Sequence, residues 1–258
     1  MSSQNARATY LRQLHIPGKP ILLTNIYDAM SARAIAALPG TKALATASYA
    51  IAGAAGVTDD GMTLETNLAA VHGISGVAKE YGLPLTVDWQ DGYGARLEEG
   101  IQDILKLGVV EINLEDCDKE TQKMLPVEVA AERVKRVLAT AEAIGVADIV
   151  VNARTDTLIH NGTVSEAIER GKAYLAAGAT TVFVWGGSIR GGITREEVKL
   201  LVDAFNGKLN VSMKMGEGNL TAKELARMGV AGISIGPALQ FIAMKIFGEE
   251  AENLIAST

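Results

Sequence analysis

The sequence predicts a closed (β/α)8 barrel, a parallel eight-stranded sheet ringed by helices, and three observations carry that reading. Eight short apolar runs recur along a chain of 258 residues. Each run is nearly continuous in Val, Ile, Leu and Ala, the pattern of a strand covered on both faces. The segments between the runs carry helix start and stop signals, and strands that alternate with helices build a parallel sheet. A length near 250 residues is usual for one such barrel, so a single domain over residues 1–258 is expected. A doubly wound open sheet is the alternative arrangement of the same elements.

The first four runs are ILLTN (21–25), ALATAS (43–48), LPLTVD (83–88) and VVEINLED (109–116). The last four are DIVVNART (148–155), TVFVWGG (181–187), LNVSMK (209–214) and GISIG (232–236). Between them, VSEAIERGKAYLAAG (164–178) follows Thr163, a suitable N-cap with Glu166 three residues on, and stops at Gly178. TREEVKLLVDAFNG (194–207) repeats that grammar with Thr194 and Gly207, and TAKELARMGV (221–230) is a shorter version. The ending ALQFIAMKIFGEEAENLI (238–255) reads as an apolar helix that closes the barrel or packs on a neighbouring subunit.

Composition removes several function classes. The net charge of −6 comes from intermixed acids and bases with no basic stripe. Nucleic acid is therefore not an expected partner, because phosphate binding needs clustered Lys and Arg. One cysteine cannot form an internal disulfide, which fits a reducing cytoplasm. The opening MSSQNARATYLRQLHIPGKP has no apolar segment of the secretory kind, and no run nears the roughly 20 residues that span a bilayer. A soluble, cytoplasmic protein is expected.

In barrels of this kind the chemistry sits where strands end and the following loops begin. Those ends supply Asn25 and Asp28, Ser48, Asp88 with Gln90, Glu115 with Asp116, Arg154 with Asp156, Trp185 and Lys214. Two carboxylates about 4 Å apart repel by roughly 4 kcal/mol at an effective dielectric near 20. One arginine, Arg154, cannot neutralise Asp59, Asp88 and Glu115 together, so a bound divalent cation is the natural relief. All-oxygen ligands without a histidine cluster favour Mg2+ or Mn2+ over zinc. For any one of these acids, capping of the next helix is the competing role.

Five stretches in order, NIYDAMSARAIAALPG (25–40), ATASYAIAGAAGVTDDG (45–61), VDWQDGYG, INLED and NARTDT, resemble the isocitrate lyase and phosphoenolpyruvate mutase superfamily. The resemblance runs from about Pro20 to Pro237. It implies a (β/α)8 barrel, a C-terminal helix exchanged between subunits of a dimer or tetramer, a Mg2+ ion, and substrates built on a pyruvate, oxalate or enolpyruvate unit. By the same resemblance Asp88 is the acid that holds the metal most directly. Glu115 is the matching acid on the fourth strand, and Gln90 stands where the family has a water-linked acid. Asp59, or Asp60 after a slip of one residue, matches a further site aspartate. Ser48 with the Tyr49 N–H matches the turn that binds substrate, Arg154 matches the arginine that grips it, and Tyr27 and Asp28 are further candidate contacts.

The segment EDCDKETQKMLPVEVAAERV (115–134) departs from the family. It lacks both the Lys-Lys/Arg-Cys-Gly-His motif of the lyases and the later Lys-x-Asn-Ser of the phosphonomutases. Cys117 could replace the missing acid, although an inert thiol is the plainer expectation, and the short loop argues against a full lid. His15 and His72 are expected at the surface or in packing, and His160 within reach of the rim. The sequence as a whole points to a Mg2+-dependent lyase or hydrolase. It would cleave a C–C bond of a small 2-hydroxy or 2-oxo dicarboxylate through a metal-stabilised enolate. Phosphonomutase chemistry on a P–C bond and non-catalytic binding of a 2-oxo acid are the alternatives.

Overall fold

The structure is a computed structural model that describes residues 3–258. Helix α1 (Gln4–Leu14) precedes the sheet, and the first predicted strand splits at Thr24 into β1 (Ile21–Leu23) and β2 (Asn25–Ile26). There follow α2 (Ala29–Ala36), β3 (Leu44–Thr46), α3 (Ser48–Ala54), α4 (Leu64–Tyr81), β4 (Leu85–Asp88) and α5 (Leu97–Lys106). The middle of the chain forms β5 (Glu111–Glu115), a small pair β6 (Cys117–Asp118) and β7 (Lys123–Met124), α6 (Val127–Ala143) and β8 (Val150–Thr155). The remainder is α7 (Val164–Ala176), β9 (Thr181–Val184), α8 (Arg195–Ala204), β10 (Leu209–Ser212), α9 (Ala222–Met228), β11 (Gly232–Ser234) and α10 (Ala238–Ala256).

The main sheet runs β1-β11-β10-β9-β8-β5-β4-β3-β2, and every pair in it is parallel. Because β1 pairs with β11 while β2 pairs with β3, the two halves of one strand close the ring. The predicted barrel is therefore the observed one, and the open sheet is not. Each apolar run holds a strand, but five of the strands stop earlier than their runs. Ser48 already belongs to α3, and Lys214 and Gly236 lie in loops.

The helix grammar holds at the caps. Thr163, Thr194 and Thr221 each form a reciprocal capping box with the Glu three residues on, which satisfies N–H groups the helix leaves open. Helix α7 ends at Ala176, and Gly178 just beyond takes φ 107°, a turn that a side chain would strain.

Helix α1 closes the floor of the barrel. Gln4 Nε2 donates to the carbonyls of Leu105 and Val109, both at 2.8 Å, and Arg12 Nη2 donates to Ile149 O at 2.9 Å. His15 follows the helix and is buried, its Nε2 3.5 Å from Glu111 Oε1; it is a packing residue of the floor and not a surface one. Two apolar clusters fill the space between sheet and helices, one over β3, β4, β5 and β8 and one over β9, β10 and β11. Inside the barrel the usual layers of branched side chains give way to polar residues around a cavity of about 1020 Å3.

The last helix is different. None of α10 is buried, and Phe247, Leu254 and Ile255 are 72%, 70% and 74% exposed. A helix that is apolar on every side is expected to be covered. Among the described residues no helix is long and apolar enough to cross a membrane.

Packing between α7 and the barrel sets a first prediction. A Cβ on Gly171 would lie 2.4 Å from the Phe205 ring and 3.0 Å from Val182. Gly171→Ala should therefore lower stability by about 1–3 kcal/mol through overpacking, despite the better helix propensity of alanine. A urea midpoint that stayed the same or rose would contradict this packing.

Candidate active site

The cavity opens at the end of the barrel where the strands finish, and its wall includes Ser48, Tyr49, Asp59, Asp88 and Arg154. Asp88 ends β4. Its Oδ2 accepts the Ser48 N–H at 3.0 Å and its Oδ1 accepts Asn113 Nδ2 at 3.0 Å. Ser48 opens α3, and the preceding cap residue Ala47 offers no side-chain acceptor. Asp88 supplies that acceptor from the neighbouring strand, where the positive end of the helix favours a carboxylate. Metal ligand and helix cap are thus compatible roles for this residue.

Arg154 is clamped. Its Nε and Nη2 donate to the two oxygens of Asp156 at 2.6 and 3.0 Å, and its Nη1 lies 2.8 Å from Glu115 Oε1. The guanidinium also sits 4.1 Å from the centre of the Trp185 ring. Burial disfavours its charge, but Asp156 and Glu115 more than compensate and keep it firmly protonated. Glu115 is not on the cavity wall; its carboxyl is pushed well above the usual range by burial, with Asp156, Asp88 and Asp59 adding to the rise against Arg154. Asp59 is likewise raised, first by burial and then by Asp88. Asp60 is exposed, so the residue that reaches the cavity is Asp59.

Other predicted residues have different employment. Gln90 takes φ 47°, which turns its side chain from the cavity wall toward its neighbours. Its Nε2 donates to Asp59 Oδ1 at 3.0 Å and its Oε1 accepts from Lys119 Nζ at 2.8 Å. Asp28 is the N-cap of α2, accepting the Ser31 N–H at 2.7 Å, and Tyr27 packs against a small cluster of Ile51, Ala52 and Met62. Neither Tyr27 nor Asp28 lines the cavity. Asp116 faces the helices and binds Tyr174 and Arg170 at 2.6 and 3.1 Å.

Where the family resemblance implies a gating loop, the chain forms the β6–β7 hairpin. Asp118 Oδ1 accepts from the N–H and hydroxyl of Thr121 at 2.7 and 2.8 Å, and Lys119 also donates to the Met62 carbonyl. Asn113 and Asn152 on the cavity wall, and Lys119 beside Gln90, are among the residues that reading strand ends alone missed. A signal for Asn113 was present: Glu111, Asn113 and Glu115 alternate along β5, so all three point one way.

Among the described residues no group of three or more His, Cys, Asp or Glu side chains is arranged to hold a metal ion by itself. Magnesium asks for less, one or two carboxylates with water and substrate oxygens for the rest. Asp88 on the cavity wall, near enough to Asp59 and Glu115 for its charge to raise both, fits that requirement.

Cys117 Sγ lies 3.3 Å from His160 Nε2, outside the cavity wall. Burial, then Asp156, Asp116 and Glu115, push the thiol up to about 12. Only on the order of one thiol in 10^4 is then ionised at pH 8. Labelling by a disulfide reagent at pH 8 should be at least a hundredfold slower in the native protein than in urea, and should keep rising above pH 9. Native labelling within a few-fold of the unfolded rate would contradict this environment.

Comparison with known proteins places the fold and the family. The sequence model described as phosphoenolpyruvate phosphomutase matches residues 11–255. The chain is 32% identical to a 2-methylisocitrate lyase of Shewanella oneidensis over 67% of this chain and 60% of that protein. It is 32% identical to a phosphoenolpyruvate phosphomutase of Streptomyces hygroscopicus over 70% of this chain and 59% of that protein. The match to these curated relatives thus spans about three fifths of their length. Among solved structures, 2,3-dimethylmalate lyase, a member of the PEP mutase/isocitrate lyase superfamily, superposes with a TM-score of 0.81 at 28% identity, over 96% of this chain and 87% of that one. On the model that covers it nearly end to end, the chain belongs to the phosphoenolpyruvate phosphomutase family, among lyases and phosphomutases of the isocitrate lyase superfamily.

Proposed function

We propose that the protein is a Mg2+-dependent lyase or hydrolase that cleaves a C–C bond in a small 2-hydroxy or 2-oxo dicarboxylate. One observation carries the reading: Asp59 and Asp88 line one cavity with Glu115 close enough to feel both, while Arg154 on the same wall is already paired with Asp156 and Glu115. Asp88 would hold the ion directly, with Glu115 and Asp59 acting through water. When bound, the ion would supply positive charge to the oxygens of an enolate left by bond cleavage. Arg154 would orient a substrate carboxylate through the N–H groups that Asp156 and Glu115 leave open, and its fixed fork suits that task. The Tyr49 N–H, second in α3, has no intrahelical acceptor and would donate to the same unit. Trp185, Phe183 and Ile235 on the wall would exclude water from the reacting bond.

The relatives' names support lyase chemistry on malate-like and isocitrate-like acids. The likeness to a phosphoenolpyruvate phosphomutase favours P–C chemistry as the second reading. The absence of a Lys-x-Asn-Ser sequence after Glu115 weighs against it. The exposed apolar α10 supports a homo-oligomer in which this helix packs on a second copy, and a cytoplasmic location accords with one unpaired cysteine.

Incubation with Mg2+ and alkylmalates, oxaloacetate or phosphonopyruvate, read by NMR, tests the reading. A pyruvate- or oxalate-type product is expected from one of the first two classes. Phosphorus migration alone would favour the mutase. Asp88→Ala should remove metal-dependent turnover, and a variant with full activity would overturn the site. Light scattering should give a mass of two or four chains; a stable monomer would refute the role of α10.

A further inference from the structure

Four polar residues on adjacent strands stand in one register across the barrel. Asp88 of β4 is level with Asn113 of β5, Asn113 with Asn152 of β8, and Asn152 with Thr181 of β9. Their side chains make an unbroken chain. Thr181 Oγ1 bonds to Asn152 Oδ1 at 2.8 Å, Asn152 Nδ2 donates to Asn113 Oδ1 at 3.0 Å, and Asn113 Nδ2 donates to Asp88 Oδ1 at 3.0 Å. Thr181 and Asn152 are buried, at 1% and 7% exposure.

The direction of this chain follows from its end. An ionised carboxylate only accepts, so Asn113 must offer Asp88 its amide nitrogen. Its oxygen then faces Asn152, which must answer with nitrogen, and the oxygen of Asn152 in turn needs the Thr181 proton. We propose that Asn113, Asn152 and Thr181 are positioning residues that fix the orientation of the Asp88 carboxylate and with it the cation affinity of the site. The proposal rests on the reading of Asp88 as the metal-holding acid. With the Ser48 N–H on the other oxygen, each oxygen of Asp88 is pinned from one side and keeps its remaining lone pairs for the cavity.

Residue 152 is bonded to Asn113, and its amide reaches Asp88 only through that residue, which separates a relay from simple electrostatics. In Asn152→Asp the new carboxylate cannot donate to Asn113. Asn113 should then reverse and oppose its oxygen to Asp88. Charge alone predicts the opposite outcome, since an added acid in the cavity attracts a cation.

The test is a metal-free crystal structure of Asn152→Asp together with Mn2+ titration by electron paramagnetic resonance at pH 8. The relay predicts that Asp88 leaves Asn113 and that Mn2+ binds at least tenfold more weakly than to the natural protein. An unmoved Asp88, or equal or tighter Mn2+ binding, would overturn it. If the natural protein bound no Mn2+, the cation reading would fail while the crystal structure still decided the relay. Should Asn152→Asp not fold, Asn152→Leu removes the donor without adding charge. It should weaken Mn2+ several-fold, and unchanged affinity would equally refute the relay.

Discussion

The crowding of acidic side chains at the mouth of the barrel is the constraint on which the rest depends. Burial raises the proton affinity of Asp59 and Glu115, the charge of Asp88 adds to both, and Arg154 is already spent on Glu115 and Asp156. Such a cluster holds together only if every acid is gripped or a cation arrives. The grips are visible: two N–H donors on Asp88, the amide of Gln90 on Asp59, the guanidinium on Glu115. They account for the polar barrel interior, where a stable scaffold with no site would pack Val and Ile.

The hairpin that replaces the expected gating loop belongs to the same electrostatics. Lys119 brings a positive charge to Gln90 and rests 5.5 Å from the centre of the Tyr93 ring. Burial lowers the proton affinity of this lysine, while Asp91 and Asp59 act to restore it. An amide at position 90 joined to a lysine leaves the rim less negative than an acid there would. In the proposed cation site this would mean a weaker grip on the ion and a preference for a more anionic substrate.

The barrel was legible because its signals are local and repeated. Continuous apolar runs mark parallel strands, and Thr–Glu pairs three residues apart mark helix starts, as Thr163, Thr194 and Thr221 bear out. Ser48, Asp88 and Arg154 were picked out by position alone, at or just beyond strand ends, and Asp59 by the family resemblance. What escaped depended on direction. Asn113, Asn152 and Thr181 lie inside the runs, and only the period of two shows that they share a face with Asp88 and Arg154. Gln90 and Asp28 look like their neighbours in the sequence. A left-handed backbone turn at Gln90 and a capping box at Asp28 commit their side chains elsewhere. The hairpin could not be read because strands of two residues carry no periodicity.

Calorimetric titration of the metal-free protein with Mg2+, with and without oxalate, tests the central claim most directly. The account predicts one ion per chain, bound more tightly when oxalate shares its oxygens. Saturable uptake that oxalate leaves unchanged would contradict an ion shared with substrate, and no uptake at all would mean that the crowded carboxylates serve the fold alone.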